Sequence, residues 1–256
     1  MLLAAGHGNR LRPLTHIWPK CLMPIGERPV LEFWLETLWK CGIYDVLINI
    51  HHLPEIVKEF LMRSRFREWV HYVEEPKLLG TAGTLRANMN FFRKSTVLLI
   101  HADNWCQCKF MEFLRSHLKR PKGTLMSMMT FNTYSPESCG IVQTDKRQVV
   151  QSFYEKVNNP PGNRANAAVY LIEPEMLCWL EKHPDLNDFS TEVLPKFLGK
   201  IFAWHNDHIH RDIGTFTELQ KARLDPKPIP VWCEMDEWQQ QFLQHPIHKK
   251  LRGDAN

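Results

Sequence analysis

Along the first hundred residues, short near-continuous aliphatic runs alternate with stretches whose apolar positions recur every three or four residues. Asp45–Ile50 and Thr96–Ile100 are of the first kind. Runs this short and this apolar predict strands buried on both faces. Between them, Pro29–Cys41 sets Leu31, Trp34, Leu35 and Leu38 at helical spacing, with Gly42 as a stop. Pro54–Met62 opens on a proline, which suits the first position of a helix. Thr81–Met89 is a third predicted helix. Further on, 124–131, 140–144, 149–156 and 165–173 are strand-like, with few helices between them. They predict a mixed region that forms the far wall of a cleft. Beyond Leu224 the chain turns proline-rich and then polar, with Trp232, Trp238 and Phe242. That pattern predicts a C-terminal helix packed on the body and a loose end after His248.

Strands alternating with helices argue for an α/β fold around a mainly parallel central sheet. In such folds ligands sit at the carboxyl ends of the strands. There is no internal repeat and no low-complexity segment. The expected division is a domain over 1–223 and an extension over 224–256 packed on that same domain.

Composition narrows the class only slightly. With 44% hydrophobic and 23% charged residues, the 256-residue chain has the balance of a soluble globular protein. No apolar run approaches the roughly 20 residues of a membrane helix. The first residues are too short and too glycine-rich for a signal peptide, so the expectation is a cytoplasmic protein with no membrane partner. The seven cysteines lack framework spacing and read as reduced, buried thiols. Cys106 and Cys108 form a CxC without a second pair, which argues against a structural zinc. A net charge of +4 suits an anionic ligand, but no basic stripe marks a nucleic-acid partner. The basic string at 248–252 reads as a solvated tail.

The densest candidate chemistry is the opening stretch LLAAGHGNRLRPLTHIWPKCLMPIG, Leu2–Gly26. Gly6 and Gly8 allow a sharp turn and close approach to a ligand. Successive amides in such a turn form a nest for anions. Arg10 and Arg12 add planar forks matched to phosphate oxygens, and Lys20 adds a point charge on a stiff segment. GHGNRL lacks the third glycine of the dinucleotide fingerprint, and no GK[ST] follows, so neither common phosphate loop is present. The plain alternative is a tight strand-to-helix turn with surface arginines.

The whole string is more specific than its glycines. Leu3 to Thr15, Pro19-Lys20 and Pro24-Ile25-Gly26 resemble the signature of the sugar nucleotidyltransferases, the nucleoside-diphosphate-sugar pyrophosphorylases. Five later stretches match in order: Glu75–Leu85 with its GTAG, His101-Ala102-Asp103-Asn104, Phe153–Lys156, Asn166–Tyr170 and Asp212-Ile213-Gly214-Thr215. The resemblance runs to about residue 223. It implies a Rossmann-like three-layer fold of glycosyltransferase-A type. It also implies a reaction in which a nucleoside triphosphate and a sugar 1-phosphate give a nucleotide sugar and pyrophosphate.

The resemblance also carries roles. Arg10 and Lys20 would be catalytic. Leu3, Ala5, Gly6, Gly8, Asn9 and Arg10, with Gly80, Thr81, Ala82 and Gly83, would bind the nucleotide. Gly140, Glu155, Lys156 and Asn166 would bind the sugar phosphate, and Asp103 and Asp212 would hold Mg²⁺. Each has a plainer reading beside it. Asp103 suits a helix N-cap, Asp212 a turn, and Glu155-Lys156 a solvated pair. Departures from the pattern are Asn9 for the usual Thr or Ser, and Ala168 for the usual Gly. His101, His205, His208 and His210 surround the two acidic positions. A transition-metal site is one reading of these histidines; the preferred one is that His208 and His210 fill one face of a strand.

The look of PKCLMPIG and PVLEFWLETL is nearest the mannose-type or heptose-type guanylyltransferases. Alternatives are a glucose-1-phosphate thymidylyltransferase, a cytidylyltransferase for a phosphocholine-like alcohol, and a regulatory homologue that binds nucleotide sugar without turnover. Proteins of this kind often form homo-oligomers. No hexapeptide repeat points to an appended acyltransferase.

Overall fold

In a computed structural model describing residues 1–92 and 95–252, the predicted alternation becomes thirteen strands and nine α-helices among the described residues. The first stretch holds β1 (Leu2–Leu3), β2 (Pro24–Ile25), β3 (Arg28–Pro29), α1 (Val30–Lys40), β4 (Val46–Ile50), α2 (Pro54–Leu61) and β5 (Val70–Glu74). Next come α3 (Thr81–Ala87), α4 (Met89–Phe92), β6 (Val97–His101), β7 (Asn104–Cys106) and α5 (Phe110–Leu118). β8 (Met126–Asn132), β9 (Gly140–Thr144), β10 (Val150–Glu155) and β11 (Arg164–Ile172) follow. The chain closes with α6 (Pro174–Glu181), β12 (Ile201–His205), β13 (His210–Asp212), α7 (Phe216–Leu224), α8 (Glu237–Gln244) and α9 (Pro246–Arg252). The α/β class with a mixed, strand-centred core is therefore as expected. None of the described helices is long and apolar enough to cross a membrane.

The chain divides into two units. The N-terminal unit holds residues 2–77 and 102–105 and everything described from Arg211 onward. Its sheet is parallel: Leu2 pairs with Ile48, and Val46 with Val70, giving the order β1-β4-β5. All five residues of β4 are buried, as its near-continuous aliphatic run predicts. α1 buries the predicted stripe of Leu31, Trp34, Leu35 and Leu38. Such side chains contribute roughly 1.5–3 kcal/mol each when fully buried. Asn49 is the polar exception in β4. Its Oδ1 accepts from Ala4 N at 2.8 Å and its Nδ2 donates to Glu75 Oε1 at 3.0 Å, so the end of β1 is held by a satisfied buried amide.

The C-terminal segment belongs to this unit. Asp236 caps α8, accepting from Gln239 N at 2.9 Å. Trp238 and Phe242 stack on each other at 5.1 Å, and Phe242 stacks on Trp18 at 5.5 Å. Below them Arg63 donates to Glu32 at 2.6 Å and to Asp236 at 2.7 Å, with its guanidinium 4.9 Å from the Trp238 ring. The loose end expected after His248 is instead helix: α9 runs to Arg252 and buries Ile247, His248 and Leu251. Those apolar positions, three and four apart, outweigh the basic residues between them.

The central unit comprises Met1, 78–101 and 106–210. Its spine is β11, antiparallel to β8 along one edge and to β6 and β9 along the other. β9 pairs on with β10 antiparallel, and β8 with β12 parallel. Between β8 and β11 only a short 3-10 turn at Pro136–Ser138 intervenes, so few helices separate these strands, as their pattern suggested; the helical turns of this stretch come after β11. α6 and a π-helical turn at Phe189–Val193 bury Met176, Leu177, Leu180, Phe189 and Val193. None of the seven cysteines forms a disulfide, but only Cys21 is fully buried, while Cys178 and Cys233 are exposed. The expectation of uniformly buried thiols therefore fails.

Candidate active site

The N-terminal unit builds one charged cluster from three distant segments. After β1 the chain turns at Gly8, whose φ of 63° is left-handed and suits glycine. The Gly8 carbonyl then accepts from Leu11 N at 2.9 Å and from Thr15 Oγ1 at 3.1 Å. These bonds fix a single helical turn, Asn9–Leu11, that buries Leu11 and turns Arg10 outward. Leu3 and Ala5 are buried at the strand end, and Gly6 has open space where a side chain would stand. The second segment carries Lys20 in a turn at Lys20–Leu22, tied by Trp18 Nε1 donating to Leu22 O at 2.7 Å.

Lys20 Nζ donates to Asp103 Oδ2 at 2.8 Å and to Asp212 Oδ1 at 3.0 Å. Arg10 Nη2 donates to Asp212 Oδ2 at 2.7 Å. Two cations and two carboxylates are thus joined, although 83 and 192 residues separate Lys20 from its two partners. Asp103 is positioned by Ala102 N, which donates to Leu3 O at 3.0 Å. Asp212 is positioned by Gly214 N, which donates to its Oδ1 at 2.9 Å. A Cβ at Gly214 would lie 2.5 Å from Arg10 Nη2 and 2.9 Å from Asp212 Oδ1, so a larger residue there would have to shift the end of the Arg10 side chain.

Burial pulls the Lys20 ammonium's pKa down, but the carboxylates of Asp103 and Asp212 outweigh it, and the net shift is upward. Burial likewise raises Asp212, yet Lys20 and Arg10 hold it well below the usual carboxylate range. The N-cap reading of Asp103 and the plain-turn reading of Asp212 both leave out these ion pairs.

Around the loop stands a feature the sequence reading missed. The His7 ring is edge-on to His51 at 5.1 Å and to His52 at 5.3 Å. His51 Nδ1 donates to Glu75 O at 2.7 Å, and His52 Nε2 to Thr15 O at 2.6 Å. Burial, then His51 and His52, lower the pKa of His7. The doublet 51–52 directly after a buried strand was the available signal.

The other expected residues lie in the central unit. Gly80 precedes α3, and Thr81 Oγ1 accepts from Phe189 N at 2.7 Å. Ala82 N at 2.8 Å and Gly83 N at 3.4 Å both donate to Asn187 O. Two amides of this loop are thus already engaged. Gly140 pairs with Glu155 across β9 and β10. Lys156 Nζ lies 3.4 Å from Glu155 Oε1, with its side chain 66% exposed and its backbone left-handed at φ 50°. Asn166 Nδ2 donates to the Tyr170 hydroxyl at 2.6 Å, and its Oδ1 accepts from Ala168 N at 3.0 Å. This pair spans a bulge in β11, and Ala168 sits there at φ 53°.

The histidine strand face does not form as expected. β13 starts at His210, and His208 precedes it in a loop held by Asn206 Oδ1, which accepts from His208 N at 3.0 Å. His210 Nε2 donates to Ala167 O at 2.9 Å and the ring packs 4.2 Å from Phe131. Among the described residues no cluster of three or more His, Cys, Asp or Glu side chains is arranged to hold a metal. Asp103 and Asp212 are a pair of carboxylates that both reach one cationic centre, the Lys20 nitrogen. An all-oxygen pair of that kind fits a hard divalent cation whose remaining ligands come from phosphate and water.

The family model described as "Nucleotidyl transferase" matches residues 1–227. A UTP–glucose-1-phosphate uridylyltransferase of Synechocystis is 29% identical over 87% of this chain and 61% of its own length. A mannose-1-phosphate guanyltransferase of Saccharomyces cerevisiae is 30% identical over 84% of this chain and 60% of its own. The chain thus spans about three fifths of the curated relatives it matches. Among solved structures, a putative glucose-1-phosphate thymidylyltransferase from Bacillus anthracis, in complex with a sucrose, superposes with a TM-score of 0.76. It is 21% identical over 87% of this chain and 92% of that one. HddC from Yersinia pseudotuberculosis, complexed with GMP-PN, gives a TM-score of 0.71 at 22% identity over 87% and 96%. At those identities the two structures speak for the fold.

Proposed function

Because the chain belongs to the Nucleotidyl transferase family, we propose that it is a sugar-1-phosphate nucleotidyltransferase, joining a nucleoside triphosphate to a sugar 1-phosphate. The observation that carries this reading is the Arg10–Lys20–Asp103–Asp212 cluster beside the glycine loop. A phosphate oxygen of the sugar 1-phosphate attacks the α-phosphorus, the bond from that phosphorus to the β-phosphate oxygen breaks, and pyrophosphate leaves. The nucleophile is already an anion, so no general base is needed. The task is to position two polyanions and offset their repulsion, about 4 kcal/mol per unit-charge pair at 4 Å and an effective dielectric of 20.

The residues divide that task. The amides from Gly6 to Arg10 cradle the triphosphate. Arg10 leaves Asp212 for a phosphate oxygen, a fork-matched exchange of one oxyanion for another. Lys20, the most enclosed of the four at 8% side-chain exposure, holds its charge beside the reacting phosphate. Asp103 and Asp212 would hold a divalent cation, Mg²⁺ by preference, which when bound neutralises phosphate charge and orients the reacting groups. Glu155, Lys156 and Asn166 take the sugar phosphate. Guanosine triphosphate with a mannose-type or heptose-type sugar 1-phosphate is the first pair proposed. The yeast relative bears a mannose and guanyl name, and the uridylyl and thymidylyl names of others supply the competing pairs.

The test is pyrophosphate release by purified protein with Mg²⁺, each nucleoside triphosphate being offered against a panel of sugar 1-phosphates. Release with one pair, and none without the sugar, is the expected result. Silence across the panel, with a nucleotide sugar still raising the melting temperature, would replace the enzyme with a regulatory homologue.

A further inference from the structure

Asp225 follows α7 and touches none of the four clustered side chains, yet it bears on two of them. Its carboxylate is nearly enclosed, with 11% of the side chain exposed. Oδ2 accepts from Trp105 Nε1 at 3.0 Å and from Arg211 Nε at 2.7 Å, and Oδ1 accepts from Arg211 Nη2 at 2.9 Å. Trp105 stands two residues after Asp103, and Arg211 stands one residue before Asp212. β7 and β13, which carry Trp105 and Arg211, pair with each other. One carboxylate therefore clamps together the two segments that bring the acids to Lys20.

The clamp is itself anchored. Trp105 is 1% exposed and packs edge-on to Phe33 at 4.7 Å. Trp34 Nε1 donates to Asn104 O at 2.8 Å, fixing the residue between Asp103 and Trp105. α1 thus holds one side of the turn and Asp225 the other. The bidentate fork to Arg211 sets both distance and orientation, which a single bond would not do.

We propose that Asp225 is a positioning residue for the cation site, setting the separation of Asp103 and Asp212 through Trp105 and Arg211. The proposal rests on the reading of those two acids as cation ligands. Groups that hold metal ligands in place change metal affinity by about 10–100-fold when lost.

The test uses Mn²⁺ as probe, its binding to the full chain followed by electron paramagnetic resonance. Asp225→Asn keeps the side chain's shape and removes its charge. It is expected to weaken Mn²⁺ binding about tenfold or more. Arg211→Lys, which keeps the charge and loses the fork, is expected to do the same and serves if the first variant does not fold. Asp236→Asn is the control: it breaks an ion pair with Arg63 elsewhere in the unit, and should lower the melting temperature while leaving Mn²⁺ affinity alone. In the turnover assay, Asp225→Asn should need more Mg²⁺ for half-maximal rate, with an unchanged KM for sugar phosphate. Unaltered Mn²⁺ affinity in Asp225→Asn and Arg211→Lys, an equal loss in the control, or no Mn²⁺ binding by the wild type overturns the proposal. Weakened Mn²⁺ binding in a protein that releases no pyrophosphate supports the clamp and removes the enzymatic reading instead.

Discussion

Lys20 Nζ is the point where the protein's chemistry converges, and its two carboxylate partners make distinct predictions. Asp103→Asn keeps the shape and one acceptor oxygen but gives up the charge a hard cation needs. Turnover is expected to fall by a hundredfold or more, since a lost metal ligand forfeits about several kcal/mol, and a variant within threefold of wild type would remove Asp103 from the site. Lys20→Met removes the cation that bridges the acids at 2.8 and 3.0 Å. Without it the carboxylates repel, so the variant should melt lower than wild type in chelator and be rescued more strongly by Mg²⁺. Equal Mg²⁺ shifts in the two proteins would show that the ammonium and the cation do not share the acids. Ala168 makes the third residue-scale test. A left-handed alanine costs roughly 1–2 kcal/mol, and glycine returns part of that as chain entropy, roughly 0.5–1 kcal/mol. Ala168→Gly should raise stability by up to about 1 kcal/mol in urea unfolding, and a loss would mean that the methyl group packs better than its backbone is strained.

At the scale of elements, the helices and strands with regular apolar spacing were legible in the chain itself. α1 was expected over 29–41 and forms over Val30–Lys40, and β9 occupies the predicted 140–144. Both are specified by local periodicity. The π-helical turn at Phe189–Val193 was not legible, because it depends on Asn187 O and Phe189 N meeting the start of α3. The C-terminal helices were half legible. Aromatic residues foretold α8, but α9 was hidden by its lysines, which are solvated while Ile247 and Leu251 are buried. The prediction at this scale concerns Phe242, 2% exposed between Trp18, Trp238 and His248. Phe242→Ala should cost about 3–5 kcal/mol in urea unfolding. A cost under 1 kcal/mol would show that 224–252 rests on the unit without stabilising it.

For the whole molecule, pH sums over scattered histidines. Burial is the first cause holding His7, His117, His205, His245 and His248 below the ordinary value of 6.5. The unfolded chain takes up these protons near 6.5, and the folded chain only at lower pH. Between the two values the unfolded state binds more protons, so stability falls as pH drops below 6.5. Asp212, held low, adds its loss only under far more acidic conditions. The urea midpoint should therefore be lower at about pH 5.5 than at about pH 7.5 with the slope unchanged, and identical midpoints would refute the burial argument.

By itself the sequence determined most of the local structure and pointed to a kind of chemistry. Apolar spacing specified most helices and strands, because burial rewards a period of 3.6 or 2 wherever the chain meets a core. The glycine loop, its cations and the ordered short motifs pointed to phosphate handling, because such residue types are matched to oxyanions. Only the tertiary structure decided which acids Lys20 meets, that Gly214 makes room for Arg10, and that Asp225 clamps the two acid-bearing segments. Those contacts join residues as distant in the chain as Lys20 and Asp212, 192 positions apart. Pairings at such separations leave no periodic trace in the chain, since they are set by the packing of whole elements and not by their neighbours in sequence.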